Sequence, residues 1–139
     1  MNEELLASVE REVAGWSGVS AERHGGGSGR GGFRVPPATV FRFGRRHIGH
    51  IHDTGVADIT FPRKVHDALV SEGRARPHAA GFAGVVSYQV RVPEDVPRVV
   101  ELFRMGYDRA RESADMRREQ EGRGDGAALG QEGDPRQDR

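Results

Sequence analysis

Residues 39–61 read TVFRFGRRHIGHIHDTGVADITF, and this stretch decides the fold. Within it, successive side chains alternate in character with the period of two that a pleated strand imposes. Gly44 and Gly55 mark turns at which the alternation starts again. The stretch therefore predicts an antiparallel β-meander whose strands lie at about 39–43, 47–52 and 56–59.

Amphipathic helices are predicted before and after this meander. Leu5, Val9 and Val13 recur at four-residue spacing and indicate a first helix. Pro62 opens a second helix, which Gly73 ends. After a β-prone run at 84–92, the last helix carries an apolar stripe formed by Val96, Val99, Val100, Phe103 and Tyr107. This order predicts an α+β fold, with an antiparallel β-meander sheet and helices packed on one face.

Composition divides the chain into three parts. Residues 1–31 read as the N-terminal helix and a glycine-rich linker, because no Gly-Lys-Ser/Thr follows the glycines as it does in a phosphate-binding loop. Residues 32–112 hold the α+β domain. Residues 113–139 are rich in Arg, Glu, Gln, Gly and Asp and cannot bury enough apolar surface to offset the entropy of ordering. We therefore expect a disordered C-terminal tail.

The bulk properties exclude several classes of function. The 139 residues include 21 Lys plus Arg and 21 Asp plus Glu, so no net positive field favours non-specific nucleic-acid binding. The absence of cysteine excludes disulfides, thiolate metal sites and a cysteine nucleophile. The acidic N-terminus is followed by no long apolar run, which argues against a signal peptide or a membrane span. We expect a cytoplasmic protein that binds neither membranes nor nucleic acid.

Three of the six histidines lie in the strand predicted at 47–52. Strand alternation predicts that His50 and His52 share one face with Ile48, and that His47 lies on the other face. Such a pair can chelate a transition metal, move protons, or make structural hydrogen bonds within the sheet. A metal would need further ligands, so we do not favour one. The candidates for additional site residues are Asp58, His66 and His78.

Asp58 is unusual because it lies in a β-rich run, where aspartate is disfavoured. A carboxylate in a sheet needs a partner, and we expect Arg63 or a histidine to supply it. Arg63 and Arg76 are also suited to holding an anion or a carboxylate. The alternative for both arginines is a solvated position on the surface.

These residues resemble the fungal-luciferase-like domain family, which groups small prokaryotic proteins with the luciferase of bioluminescent fungi. The resemblance covers roughly 32–109, and the segments that carry it are 41–52, 57–63, 66–70, 73–78 and 105–107. One position departs from the family pattern. Val85 stands where the pattern Gly-Trp-Val-Ser has its tryptophan, which weakens the case for a flat aromatic substrate stacking there.

The resemblance implies a site for a small organic molecule. The fungal enzyme adds oxygen to a hydroxylated pyrone without a bound cofactor. Carried over to this chain, a histidine would deprotonate an enol as general base and an arginine would hold the oxyanion. The implied catalytic candidates are His50, His52, Asp58, His66 and His78, with Arg63 and Arg76 as ligand-binding candidates. Two alternatives remain open: a non-catalytic binding or interaction module with structural histidines, and a metal-dependent enzyme.

Overall fold

Three helices and an antiparallel sheet of six strands form the fold in a computed structural model, which describes residues 2–28 and 34–131, with side chains as far as 122. The helices are α1 (Glu3–Ala14), α2 (Arg63–Ser71) and α3 (Asp95–Gln131). The strands are β1 (Val19–His24), β2 (Gly27–Ser28), β3 (Arg34–Val35), β4 (Ala38–Phe43), β5 (Arg46–His52), β6 (Val56–Thr60), β7 (Arg76–Pro77) and β8 (Val85–Gln89). The α+β prediction is confirmed.

The predicted meander forms the centre of the sheet, whose strand order is β1-β4-β5-β6-β8-β7. The strands β2 and β3 pair separately as a short ribbon. One row of cross-strand partners crosses all six strands of the main sheet, because each member is paired with the next. The row consists of Glu22, Val40, His50, Asp58, Ser87 and Arg76. Directly paired residues share a face, so these six side chains lie on the same side of the sheet.

The opposite face is apolar and packs against the helices, as predicted. Phe41 on β4 meets Phe103 of α3 edge-to-face, with ring centroids 5.2 Å apart, and both side chains are fully buried. Ile51 and Ile59 join the same core, which also takes Leu69 from α2. We call the apolar side the helix face and the other side the outer face. The outer face carries the histidine-rich residues.

The strand β1 was not predicted, since it lies in the segment assigned to the N-terminal helix and linker. Its residues are exposed and mostly polar, so they lack the apolar alternation that indicates a strand. Pairing with β4 along its whole length forms the strand. Arg23 strengthens this edge by a two-pronged ion pair with Asp53 in the β5–β6 turn, at 2.8 and 3.0 Å.

The last helix, α3, is longer than we predicted from its apolar stripe. We predicted disorder from residue 113, whereas α3 continues to Gln131. Its first part is anchored by buried Phe103 and Tyr107. Extending an existing helix costs far less than nucleating one, and Arg, Glu and Gln are good helix formers. The remainder of the predicted tail, 132–139, lies outside the described residues. No helix within the described ranges is long and apolar enough to cross a bilayer.

Candidate active site

A buried carboxylate lies at the centre of the outer face. The side chain of Asp58 is only 3% exposed. Its Oδ2 atom lies 3.0 Å from Nε2 of His50 and 3.2 Å from Nε2 of His52, and its Oδ1 atom accepts a hydrogen bond from the hydroxyl of Ser87. We call Asp58, His50, His52, His78 and Ser87 the Asp58 cluster. The partner expected for Asp58 is therefore a pair of histidines.

Sheet register positions these groups. His50 and Ser87 are the direct cross-strand neighbours of Asp58 on β5 and β8. His52 lies two residues beyond His50 on the same strand, so it points to the same face, as predicted. Four members of the cluster, His50, His52, Asp58 and Ser87, are thus held by the backbone pairing of three adjacent strands.

Hydrogen bonding keeps the carboxyl group of Asp58 ionised at neutral pH. Burial alone would raise the pKa of its carboxyl group, because a charge is poorly solvated inside the protein. The hydrogen bonds from His50, His52 and Ser87 outweigh this effect and hold the pKa of Asp58 well below its usual range. At neutral pH the centre of the cluster therefore carries a negative charge.

His52 faces acceptors at both ring nitrogens. Its Nδ1 atom lies 3.1 Å from the carbonyl oxygen of Pro36, which can only accept, while Nε2 faces the Asp58 carboxylate. Both contacts are favourable only if both nitrogens carry protons. Accordingly the hydrogen bond to Asp58 raises the pKa of His52, and burial offsets part of that increase. His52 and Asp58 form a buried ion pair.

His50 differs in having one ring nitrogen to spare. Its Nε2–H donates to Asp58, so Nδ1 carries the lone pair in the neutral ring. Within the described ranges, no protein group hydrogen-bonds that Nδ1 atom. The side chain of His50 is 27% exposed, whereas that of His52 is 13% exposed. An accessible lone pair on a ring oriented by a carboxylate is the arrangement of a general base.

His78 approaches the cluster from the segment after β7. Its Nδ1 atom accepts a hydrogen bond of 3.0 Å from the backbone N–H of Ala80, which places the proton of the neutral ring on Nε2. That Nε2 lies 3.7 Å from Oδ2 of Asp58. The ring of Phe82 stacks beside His78 at 4.9 Å and is 60% exposed. The outer face thus has an apolar surface next to its polar centre.

A β-bulge brings a further histidine to the outer face. The pairing of β4 and β5 shifts between Phe41 and Arg42. As a result, His47 contacts the Thr60 hydroxyl at 3.4 Å, and its ring lies 5.7 Å from that of His50. The prediction that His47 lies on the opposite face was wrong, and so was the prediction that Ile48 shares a face with His50. Ile48 is buried and packs against Gly106 of α3.

Comparison with protein families identifies the domain that contains this cluster. Residues 45–106 match the family model described as the Luciferase domain. This part of the chain is a luciferase-like domain. The predicted family membership is confirmed, and the matched residues include every member of the Asp58 cluster. Neither a search of curated proteins nor a search of solved structures found a match to the chain.

The other three predicted site residues, His66, Arg63 and Arg76, lie outside the Asp58 cluster. His66 on α2 contacts the neighbouring Asp67 at 2.8 Å, and no contact joins it to Asp58. Arg63 is exposed on the same helix and lies 3.8 Å from Asp67. Arg76, by contrast, is the cross-strand neighbour of Ser87 and lies on the outer face. The structure therefore places Arg76 at the edge of the candidate site. His66 and Arg63 lie on α2 and contact Asp67 instead of the Asp58 cluster.

The luciferase-like domain also meets part of the requirement for a metal centre. Ligand atoms of His50, His52 and Asp58 all lie within 4.8 Å of one another. Histidines that bind metals usually donate their second N–H to a carbonyl or carboxylate, and His52 has such a partner in Pro36. Three protein ligands with one open position are the pattern of a catalytic zinc site. The same residues can therefore hold either a proton network or a metal.

Proposed function

We propose that the luciferase-like domain binds a small organic molecule on the outer face and that His50 acts there as general base. The observation that carries this proposal is the bridging position of Asp58, whose Oδ2 accepts from Nε2 of both His50 and His52. This contact fixes the tautomer of His50 and directs its free Nδ1 away from the carboxylate. A general base in this position contributes about 10²–10⁴-fold to a rate.

In the proposed reaction the substrate loses an acidic proton to Nδ1 of His50. The electron pair stays on the substrate, which becomes an enolate, and His50 becomes an imidazolium. The negative charge of Asp58, 3.0 Å away, stabilises that imidazolium. Asp58 orients the ring and compensates its charge without taking the proton, since its own pKa is held low.

One cationic group lies beside the proposed base, and a second lies at the edge of the same face. The imidazolium of His52 is adjacent to His50, with ring centroids 4.7 Å apart. Arg76 lies on the same cross-strand row, three strands beyond His50. An electron-rich enolate is the form of a substrate that can react with dioxygen without a bound cofactor. Family membership supports this oxygenase chemistry, with dioxygen as the second substrate.

A hydroxylated pyrone is a suitable probe, because it has an acidic enol and belongs to the substrate class of the fungal member of the family. We expect 4-hydroxy-2-pyrone to shift the histidine ring resonances of the Asp58 cluster in NMR titrations, and oxygen consumption to be measurable with an electrode. The His50→Gln variant can still donate to Asp58 but has no basic nitrogen. It should bind the pyrone and lose turnover.

The matched control is His66→Gln, which removes the histidine of α2 without touching Asp58. It should retain binding and turnover. Equal effects of the two substitutions, or pyrone-induced shifts confined to another surface, would refute the general-base proposal.

The second candidate function is a metal-dependent enzyme, favoured specifically by the His52–Pro36 contact. Zinc, iron, copper or nickel would then be present in stoichiometric amount in purified protein. The affinity for added zinc should fall in His52→Ala by more than the roughly 10–100-fold that is typical for loss of a partner outside the ligand shell, and it should not change in His66→Ala. Elemental analysis without such a metal, together with millimolar zinc affinity, would leave the proton network as the function of these residues.

A further inference from the structure

Four arginines line a cleft on the helix face, on the other side of the sheet from Asp58. They are Arg45 from the β4–β5 turn, Arg46 at the start of β5, and Arg117 and Arg118 from α3. The cleft has a volume of about 550 Å³, and Phe43, Ala110 and Ala114 form its apolar floor. We call it the arginine cleft. Among the described side chains that line it, the acidic residue is Glu121.

The floor of the arginine cleft is rigidly supported. Phe43 packs edge-on against Tyr107, with ring centroids 5.6 Å apart. The Tyr107 hydroxyl donates a hydrogen bond of 2.7 Å to the carbonyl oxygen of Ser17. Arg104 and Arg111 place their guanidinium groups over the Tyr107 ring, at 5.2 and 5.4 Å from its centroid. These contacts fix the wall next to the cleft.

The positive charge in the cleft is only partly compensated. Arg118 forms an ion pair with Asp115. For Arg45, Arg46 and Arg117, no carboxylate in the described part of the chain lies within ion-pair distance. The whole chain has no net charge, so this concentration is local. Neighbouring guanidinium groups repel one another, and an anion bound between them would remove that repulsion.

We propose that the arginine cleft binds a small organic ligand through a phosphate group. The planar guanidinium group matches phosphate oxygens in a two-pronged contact, and several arginines suit an anion with more than one charge. The volume lies within the range of about 300–1,000 Å³ that is usual for small-molecule sites. The apolar floor would contact the organic part of the ligand. This proposal does not depend on the function of His50.

The distribution of charge along α3 favours a small ligand over a nucleic acid. Outside the cleft, arginines of this helix alternate with acidic residues, and Arg104 already pairs with Asp108 at 3.2 Å. A nucleic acid needs a continuous basic track that follows its backbone. The cleft offers a local group of cations instead.

Calorimetric titration of the full chain with pyrophosphate tests this proposal, with inorganic phosphate and a short single-stranded oligonucleotide as comparison ligands. The variants are Arg45→Gln/Arg46→Gln and Arg117→Gln/Arg118→Gln. The control is Arg63→Gln/Arg109→Gln, which removes the same charge from exposed positions outside the cleft. We expect each cleft variant to weaken pyrophosphate binding by about tenfold or more, and the control to change it by less than about twofold. Circular dichroism verifies that each variant is folded.

Three results would overturn the proposal. Equal weakening in the control would show that diffuse charge binds the anion. Binding of the oligonucleotide without binding of phosphate or pyrophosphate would identify a nucleic-acid surface. No binding of any of the three at millimolar concentration would exclude a phosphate site. His50→Gln should leave pyrophosphate affinity unchanged, so failure here and failure of the general-base proposal are distinguishable.

Discussion

Gly49 on β5 lies directly against Phe103 of α3. A Cβ atom at Gly49 would lie 3.0 Å from Cε1 of Phe103 and 2.7 Å from the backbone carbonyl oxygen of Asp58. The first distance concerns the packing of the core, and the second concerns the strand that carries the candidate site. The absence of a side chain at residue 49 therefore lets α3 approach the sheet directly behind the Asp58 cluster.

We expect Gly49→Ala to destabilise the protein by about 1–3 kcal/mol, because the added methyl group must displace backbone as well as Phe103. Urea denaturation followed by circular dichroism measures this change. The control is Gly25→Ala, where an added Cβ meets nothing within 4 Å. A Gly49→Ala variant as stable as the wild type would show that α3 can move away from the sheet without cost.

Asp58→Asn should destabilise the protein by about 1.5–3 kcal/mol, since it removes a buried charge that accepts hydrogen bonds from two histidines and Ser87. It should also lower the pKa of His52, because the hydrogen bond to Asp58 is the main cause of its elevation. NMR titration of the histidine rings measures that pKa. Asp67→Asn, which removes the exposed carboxylate beside His66, is the control and should not change the pKa of His52. An unchanged pKa of His52 in Asp58→Asn would contradict the ion pair.

The ion pair also predicts how stability depends on pH. The pKa of His52 is raised in the folded state, so its contribution is complete below the unfolded value of about 6.5 and is lost as pH rises through the folded pKa. For Asp58 the folded pKa is lowered, so its contribution is present above about 3.9 and is lost as pH falls through the folded pKa. His47, whose pKa burial lowers, acts in the opposite direction to His52.

Comparison of the wild type with His52→Gln isolates this effect, because His47 is present in both proteins. We expect the difference in free energy of unfolding to be largest near pH 5–6 and to decrease towards pH 9. Denaturation curves at a series of pH values measure it. A difference that is constant with pH would show that His52 is neutral in the folded protein.

Tyr107→Phe should destabilise the protein by about 0.5–1.5 kcal/mol, because it removes the hydrogen bond from α3 to the Ser17 carbonyl and leaves the ring in place. Tyr107→Leu also removes the aromatic contacts with Trp16 and Phe43 and should destabilise it further. Thermal denaturation ranks the variants. Equal stability of Tyr107→Phe and the wild type would show that water can donate to the Ser17 carbonyl in place of the hydroxyl without cost.

The alternation of side chains along the predicted strands is the main reason that part of the candidate site could be predicted from the sequence. Alternation along 47–52 was sufficient to place His50 and His52 together, and the scarcity of aspartate in strands identified Asp58. The bulge at Phe41 and Arg42 could not be predicted, because it is a property of the pairing between two strands. It reversed the faces of His47 and Ile48.

Other parts of the site arise from contacts distant in sequence. The carbonyl of Pro36, sixteen positions away in the chain, accepts a hydrogen bond from the ring of His52, and a backbone carbonyl has no signature in the sequence. The strand β1 is stabilised by pairing with β4 and not by its own composition. His66 and Arg63 were predicted from residue type and family resemblance. The packing of α2 away from the outer face depends on tertiary contacts, which the local sequence does not reveal.

The row that runs from Glu22 through His50, Asp58 and Ser87 to Arg76 has a consequence for how this domain can change. Its members come from separate strands, and their spacing is set by inter-strand hydrogen bonds. One residue inserted into β5 or β6 would turn His50 or Asp58 towards the helices and dismantle the cluster at once. A substitution at a single position changes one side chain of the row and leaves the others in place. An insertion within a strand instead changes the face of several side chains together. We therefore expect insertions to be tolerated in the connections between these strands and not within them.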